Sequence, residues 1–222
     1  MKRIFLILLS SLFLAGCQSD VKNIPTQFDY GKVVNNVYSN NYFNFNFDID
    51  PNWTVLNSEE VNRITNAGLE LASGDDKNFE RMLDASQINV APLLYSFKYP
   101  LEKSNVFDFN ASIVMNAENI KGFPDITDVN QYLEKSVGLI QQSAMDVEIV
   151  DALGKRTIND KEYGYISMIN RSVGLEITQE YFAVIENNFV VNIVISYTSD
   201  DDKAALHKMI NSLRFNRKKG GS

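Results

Sequence analysis

The chain has 222 residues, 45% of them apolar and 22% charged, which is the make-up of one ordinary globular domain with enough length for a sizeable core. Its formal net charge of -7 speaks against a nucleic-acid binder, whose surface is basic, and against adsorption of the body on anionic lipid. A single cysteine and a single histidine exclude an internal disulfide, a Cys-based zinc site and any multi-histidine metal centre.

Lys2 and Arg3 precede an apolar run from Ile4 to Phe13, broken only by Ser10 and Ser11. The run is shorter than the about 20 apolar residues of a comfortable membrane span and has the charge and length of an export signal. Leu14-Ala15-Gly16-Cys17 follows, and these four residues resemble a bacterial lipobox. The resemblance implies that residues 1–16 are a signal peptide cut between Gly16 and Cys17. It also implies a diacylglyceryl group on the Cys17 sulfur and an acyl chain such as palmitate on the new N-terminus. Two chains anchor stably where one does not, at about 0.8 kcal/mol per buried methylene. The expected place is the extracytoplasmic side of a bacterial cell membrane or outer membrane, with the lipid bilayer as partner through acylated Cys17.

Residues 17–39 are polar and asparagine-rich, and read as the lipidated cysteine and a flexible tether reaching roughly 25 Å. The folded domain is expected over 40–215, with 216–222 a basic, disordered tail. Phe43, Phe45, Phe47 and Ile49 alternate with Asn44, Asn46 and Asp48, which predicts a strand with one apolar face. Pro51-Asn52 turns it toward a second strand at Trp53–Leu56, so the two are expected as a hairpin. Ser58 is placed to cap a helix running to Ala72, and Phe79, Met82 and Leu83 mark a shorter one. Strands are predicted at Leu93–Tyr99 and Phe109–Ala117, the second with Ala111, Ile113 and Met115 on one face. Asp128 and Gln131 form a capping box for a helix carrying Tyr132, Leu133, Val137 and Ile140. Four further strands, Val147–Leu153, Tyr163–Arg171, Glu176–Glu186 and Phe189–Thr198, are joined by short turns and so become antiparallel neighbours. Asp200-Asp201-Asp202 starts a last helix that buries Leu206, Met209, Ile210 and Leu213. The order implies an α+β fold, an antiparallel β-sheet with helices on both faces.

Tyr42 to Val55, with its aromatic strand running into a Pro–Trp turn, is similar to the opening hairpin of the PsbP-like domains. Leu93–Tyr99, Phe109–Val114 with Ala117-Glu118-Asn119, and the closing hairpin before the last helix resemble the DcrB-like envelope lipoprotein branch of that group. The resemblance covers about residues 40–215. It implies an α/β/α sandwich and binding or scaffolding work without common catalysis, and it transfers no functional residue.

Asp48, Asp50, Asn52 and Glu59 have the spacing of a calcium loop, but Trp53 stands where that loop needs glycine and a strand precedes it. Asp75-Asp76 and Asp200-Asp201-Asp202 suit helix caps better than a cation site. His207 stands beside the buried stripe of the last helix, with no serine or carboxylate placed next to it by the sequence. Asn110, Asn116, Glu118 and Asn119 cluster around one strand; they would line a ligand cleft, or form its polar outer face and exit turn. No catalytic residue, metal site or cofactor is expected. The function expected is a non-catalytic exported lipoprotein that binds or positions another cell-envelope component, with contacts on loops 102–108 and 118–127. A small-ligand or cation carrier is the alternative, and a carboxylate-dependent hydrolase a more distant one.

Overall fold

The computed structural model describes residues 23–103, 109–172 and 174–216. The export signal, Cys17, residues 104–108 of one expected contact loop and most of the expected tail lie outside the described residues.

The centre of the molecule is an antiparallel sheet. Four long strands form one half: β7 (Asp146–Ile158), β8 (Lys161–Ser172), β9 (Leu175–Glu186) and β10 (Phe189–Tyr197). Asn159-Asp160 and Asn187-Asn188 join them as two-residue turns with positive φ at both positions, a backbone that asparagine and aspartate tolerate and that matches strand twist. The other half is β4 (Thr54–Val55), β5 (Val90–Phe97) and β6 (Ser112–Asn119), giving the order β4-β5-β6-β10-β9-β8-β7.

One face of this sheet is covered by three helices. They are α1 (Ser58–Ser73), α2 (Lys77–Ser86) and α3 (Val129–Gln142). Tyr132, Leu133 and Ile140 of α3 pack on Ile166, Met168, Tyr181 and Val194. Val61 and Ile64 of α1 pack on Tyr95, Phe97 and Val114. The Asp128–Gln131 capping box of α3 forms as expected; α1 is capped by Asn57 with Glu60 rather than by Ser58.

The opposite face is covered by α4 (Asp200–Ile210) and a four-stranded sheet in the order β1-β2-β3-β11. Its strands are β1 (Lys32–Val34), β2 (Val37–Asn40), β3 (Phe45–Asp48) and β11 (Arg214–Phe215). Phe43, Phe45, Phe47 and Ile49 join Leu206, Met209 and Ile210 of α4 in one core against Ile113, Met115, Val191 and Ile193. Helices therefore lie on both faces of an antiparallel sheet, in an α+β fold. Among the described residues no helix is long and apolar enough to cross a membrane.

Three expectations are corrected. The body starts well before residue 40. Ile24 packs against the core, Phe28 is 8% exposed, and Asn40 donates to the Asp29 carbonyl at 2.8 Å. The asparagines that suggested a tether are spent on turns and backbone bonds. The predicted hairpin of β3 with Trp53–Leu56 does not form, because β3 pairs with β2 and β11 while β4 pairs with β5. The chain changes layers at Pro51-Asn52 instead of folding back. Finally, the strand predicted to stop at Ala117 continues to Asn119: Asn116–Asn119 is the last part of β6, buried along its length, and not an exit turn.

Candidate functional site

Alternation places Tyr165 of β8, Glu180 of β9 and Tyr197 of β10 on the sheet face that α4 covers. Glu180 is diagonal to each tyrosine in the strand register, a separation that a phenol bridges. Tyr197 donates to Glu180 Oε1 at 2.6 Å and Tyr165 donates to Oε2 at 3.0 Å. His207, in the last turn of α4, brings Nε2 within 3.0 Å of Oε1. Glu180 is 4% exposed, whereas 35% of the His207 side chain is in solvent, so the centre is a buried carboxylate with one open edge.

Burial by itself raises the Glu180 pKa; the hydrogen bonds from His207 and Tyr197, the proximity of His207 and the bond from Tyr165 outweigh it and hold the carboxyl at about 2. Burial and the negative charge of Glu180 push Tyr165 up to about 12, against the opposing pull of the Ser167 hydroxyl and Arg156. Burial, then the bond to Glu180, holds Tyr197 well above the ordinary phenol range. The Arg156 guanidinium lies 3.7 Å from the Tyr165 ring centroid, closing that side with a cation–π contact.

A second polar group lies on the other face, under α3. The Tyr132 hydroxyl donates to Glu118 Oε2 at 2.7 Å and accepts from Asn192 Nδ2 at 2.6 Å. Tyr95 donates to Asn116 Oδ1 at 3.2 Å, and Gln179 Nε2 donates to Ser196 Oγ at 2.9 Å. These side chains lie on the sheet face that α1 and α3 cover. Asn192 Oδ1 and Gln179 Oε1 are buried acceptors with no hydrogen-bond partner among the described residues.

The expected sites are thus redistributed. His207 does have a carboxylate beside it, contrary to the sequence expectation, because α4 packs across β9, which is remote in the chain. Asn116 and Glu118 are neither a polar outer face nor an exit turn but 0% exposed. Asn110 is spent on the backbone of Tyr99, which it bonds at both nitrogen (2.9 Å) and oxygen (2.8 Å). Asn119 donates to the Asn23 carbonyl. Loop 118–127 as a contact surface is corrected in part, since residues 118 to 120 are buried. Asp48 is held by both terminal nitrogens of Arg214, and Asp50 accepts from Asn52, so the calcium-like spacing is spent on an ion pair and a turn. Asp76 caps α2. Ser199 caps α4, and Asp202 binds Ser199 and Lys98. Among the described residues, no group of three or more His, Cys, Asp and Glu side chains is placed to hold a metal ion. The residue that sequence reasoning missed is Glu180. Its one signal is position: it shares the inward register of Phe182 and Val184, where an apolar side chain is the rule.

No family model matches the sequence, and no curated protein is similar enough to count as a relative. Solved structures of similar shape include the solution structure of cyanobacterial PsbP (CyanoP) from Synechocystis sp. PCC 6803. It is 13% identical with a TM-score of 0.45, over 81% of this chain and 91% of that one. LpqN, involved in cell envelope biogenesis of Mycobacterium tuberculosis, is 11% identical with a TM-score of 0.41, over 76% and 78% of the two chains. The type VI secretion immunity protein TplEi of Pseudomonas aeruginosa, complexed with a peptide, is 8% identical with a TM-score of 0.38, over 83% and 99%. These are loose likenesses of shape, and the functional reading rests on the residues themselves.

Proposed function

We propose that the protein is an exported lipoprotein, held on the outer side of a membrane through Cys17, that works by binding another cell-envelope component rather than by making or breaking bonds. The observation that carries the second half is the bonding of Glu180. Its carboxylate already takes three donors, from Tyr165, Tyr197 and His207, which uses the acid as a fixed clamp between sheet and helix. A working general base must come within hydrogen-bond reach of a reactant, and Glu180 is 4% exposed behind these donors. The hydrolase alternative needs two acids flanking one bond; among the described residues the buried Glu118 and Glu180 lie on opposite faces of the sheet, and the third buried acid, Asp202, is tied to Lys98 and Ser199. Beside the clamp, the same sheet face opens to solvent and carries Ile169, Arg171 and Glu176, with Arg171 tied to Glu148 at 2.5 Å and Glu176 at 3.0 Å. A rigid sheet surface of this kind suits recognition.

In-cell crosslinking followed by mass spectrometry tests the reading, with Cys17→Ser as the unlipidated control. A dominant envelope partner that disappears in the control supports it; a protein that captures nothing overturns it. The carrier alternative is favoured by the buried, unpartnered oxygens of Asn192 and Gln179, which offer acceptor groups to a small polar ligand. A thermal-shift screen of metal ions and small polar molecules decides it, since a ligand of the native state alone raises the melting temperature.

A further inference from the structure

The end of the sheet nearest the anchor is fixed by where the folded body begins. Asn23 is stitched to three places at one end of the molecule. Its amide donates to the Ile88 carbonyl at 3.3 Å, its side chain donates to Asn89 at 2.8 Å, and its carbonyl accepts from Asn119. Asn119 pairs with Phe189, the first residue of β10, so this end carries the Asn187-Asn188 turn and Lys121. The other end of β10 is Tyr197, and the exposed first turn of α4 follows it. Eight strand steps separate Phe189 from Tyr197, about 27 Å. Six steps separate Cys17 from Asn23, and six steps span at most about 22 Å whatever shape they take.

The second length is smaller than the first, so the two ends are not equivalent toward a surface that holds Cys17. We propose that the lipidated protein stands on the bilayer with the Asn23–Asn119–Lys121 end toward the lipid headgroups, leaving the Glu180–His207 centre and the first turn of α4 directed away from the membrane. The proposal rests on Cys17 being the lipidated residue. Its occupant is the bilayer that the anchor enters. The force is the shortness of the link, not attraction, since the chain is acidic overall. A stance with the α4 end down would need Asn23 farther from the surface than the link allows. A consequence follows for recognition: a partner reaches the open face of β8 and β9 from the aqueous side, and the lipid does not compete for it.

The test uses the full lipoprotein in vesicles. The acylated Cys17 sulfur is blocked, so an introduced cysteine is the one free thiol in the chain. An environment-sensitive fluorophore is attached to Lys121→Cys or to Asp201→Cys, both exposed positions. The vesicles carry nitroxide-labelled headgroups, and one set is zwitterionic, the other anionic. Loss of fluorescence at residue 121 and its retention at residue 201, in both lipids, is the result expected. A ten-residue Gly-Ser insertion after Ser19 should then abolish the difference. Equal quenching at the two positions with the native link overturns the stance, as does a contrast that survives the insertion or appears in anionic lipid alone. The intact mass of the protein is read first: a Cys17 without acyl chains would sink the anchoring itself, a failure separate from equal quenching on an acylated protein.

Discussion

Gly31 shows how much one residue can be asked to do. Its φ is +79, and a Cβ there would fall 2.3 Å from the Tyr38 hydroxyl oxygen. Gly31→Ala is therefore strained in backbone and blocked by a ring that is 1% exposed. It should destabilise by about 2–3 kcal/mol, a fall of roughly 4–12 °C in melting temperature for a domain of this size. Calorimetry of the two proteins checks it. Glu180 makes a pH prediction. Its folded pKa of about 2 lies below the ordinary 4.5, so its stabilisation is present above about pH 4.5 and is lost as pH falls toward 2. Glu180→Gln should cost on the order of 2–3 kcal/mol at pH 7, and the gap to the native protein should close as pH falls through this window. Urea unfolding at pH 7, 4 and 2.5 reads it; a gap that does not change with pH would show that Glu180 is not held charged.

The secondary elements differ in how far local sequence fixes them. The start of α3 is local. Asp128 accepts from the amides of Asn130 and Gln131, and Gln131 reaches back to the Asp128 amide. Asp128→Ala should cost about 1 kcal/mol with little change elsewhere, measured as a shift in denaturation midpoint at constant slope. The edge strand β7 is different. It carries two irregularities, around Val150 and around Ala152-Leu153, and Leu153 sits at φ +58. Such bulges twist an exposed edge away from intermolecular pairing. Leu153→Gly removes the strain of a side chain in the left-handed region at a position that is 39% exposed, and should be neutral to about 1 kcal/mol stabilising. Replacing the same residue in a regular strand would destabilise, so the sign of the effect reports the bulge.

At the scale of the whole molecule, the N-terminal segment is structural. Phe28 packs against Tyr30, Tyr42, Phe43 and Phe189, and Tyr38 is 1% exposed with its hydroxyl donating to the Tyr30 carbonyl. A chain beginning at residue 23 should fold as the intact body does, whereas one beginning at residue 40 should lose cooperative unfolding, as circular dichroism melts would show. The reason is area: removing two fully packed aromatic rings from one core costs about 3–5 kcal/mol each, comparable to the whole stability of a domain. What the sequence determined unaided is what depends on short spacing. The four long strands are set by their alternation and by the turn-forming residues between them, and the α3 cap is three residues wide. The tertiary structure alone decided everything set by contacts between distant residues. β3 left its expected hairpin partner for β2 and β11. Asn116 and Glu118 became buried strand on the face that carries α3, and Asn119 was buried at the contact with Asn23. His207 acquired Glu180, 27 residues away, because α4 lies across the sheet. Local periodicity says which face of an element is buried but not which other element buries it; that choice is made by the packing of the whole core.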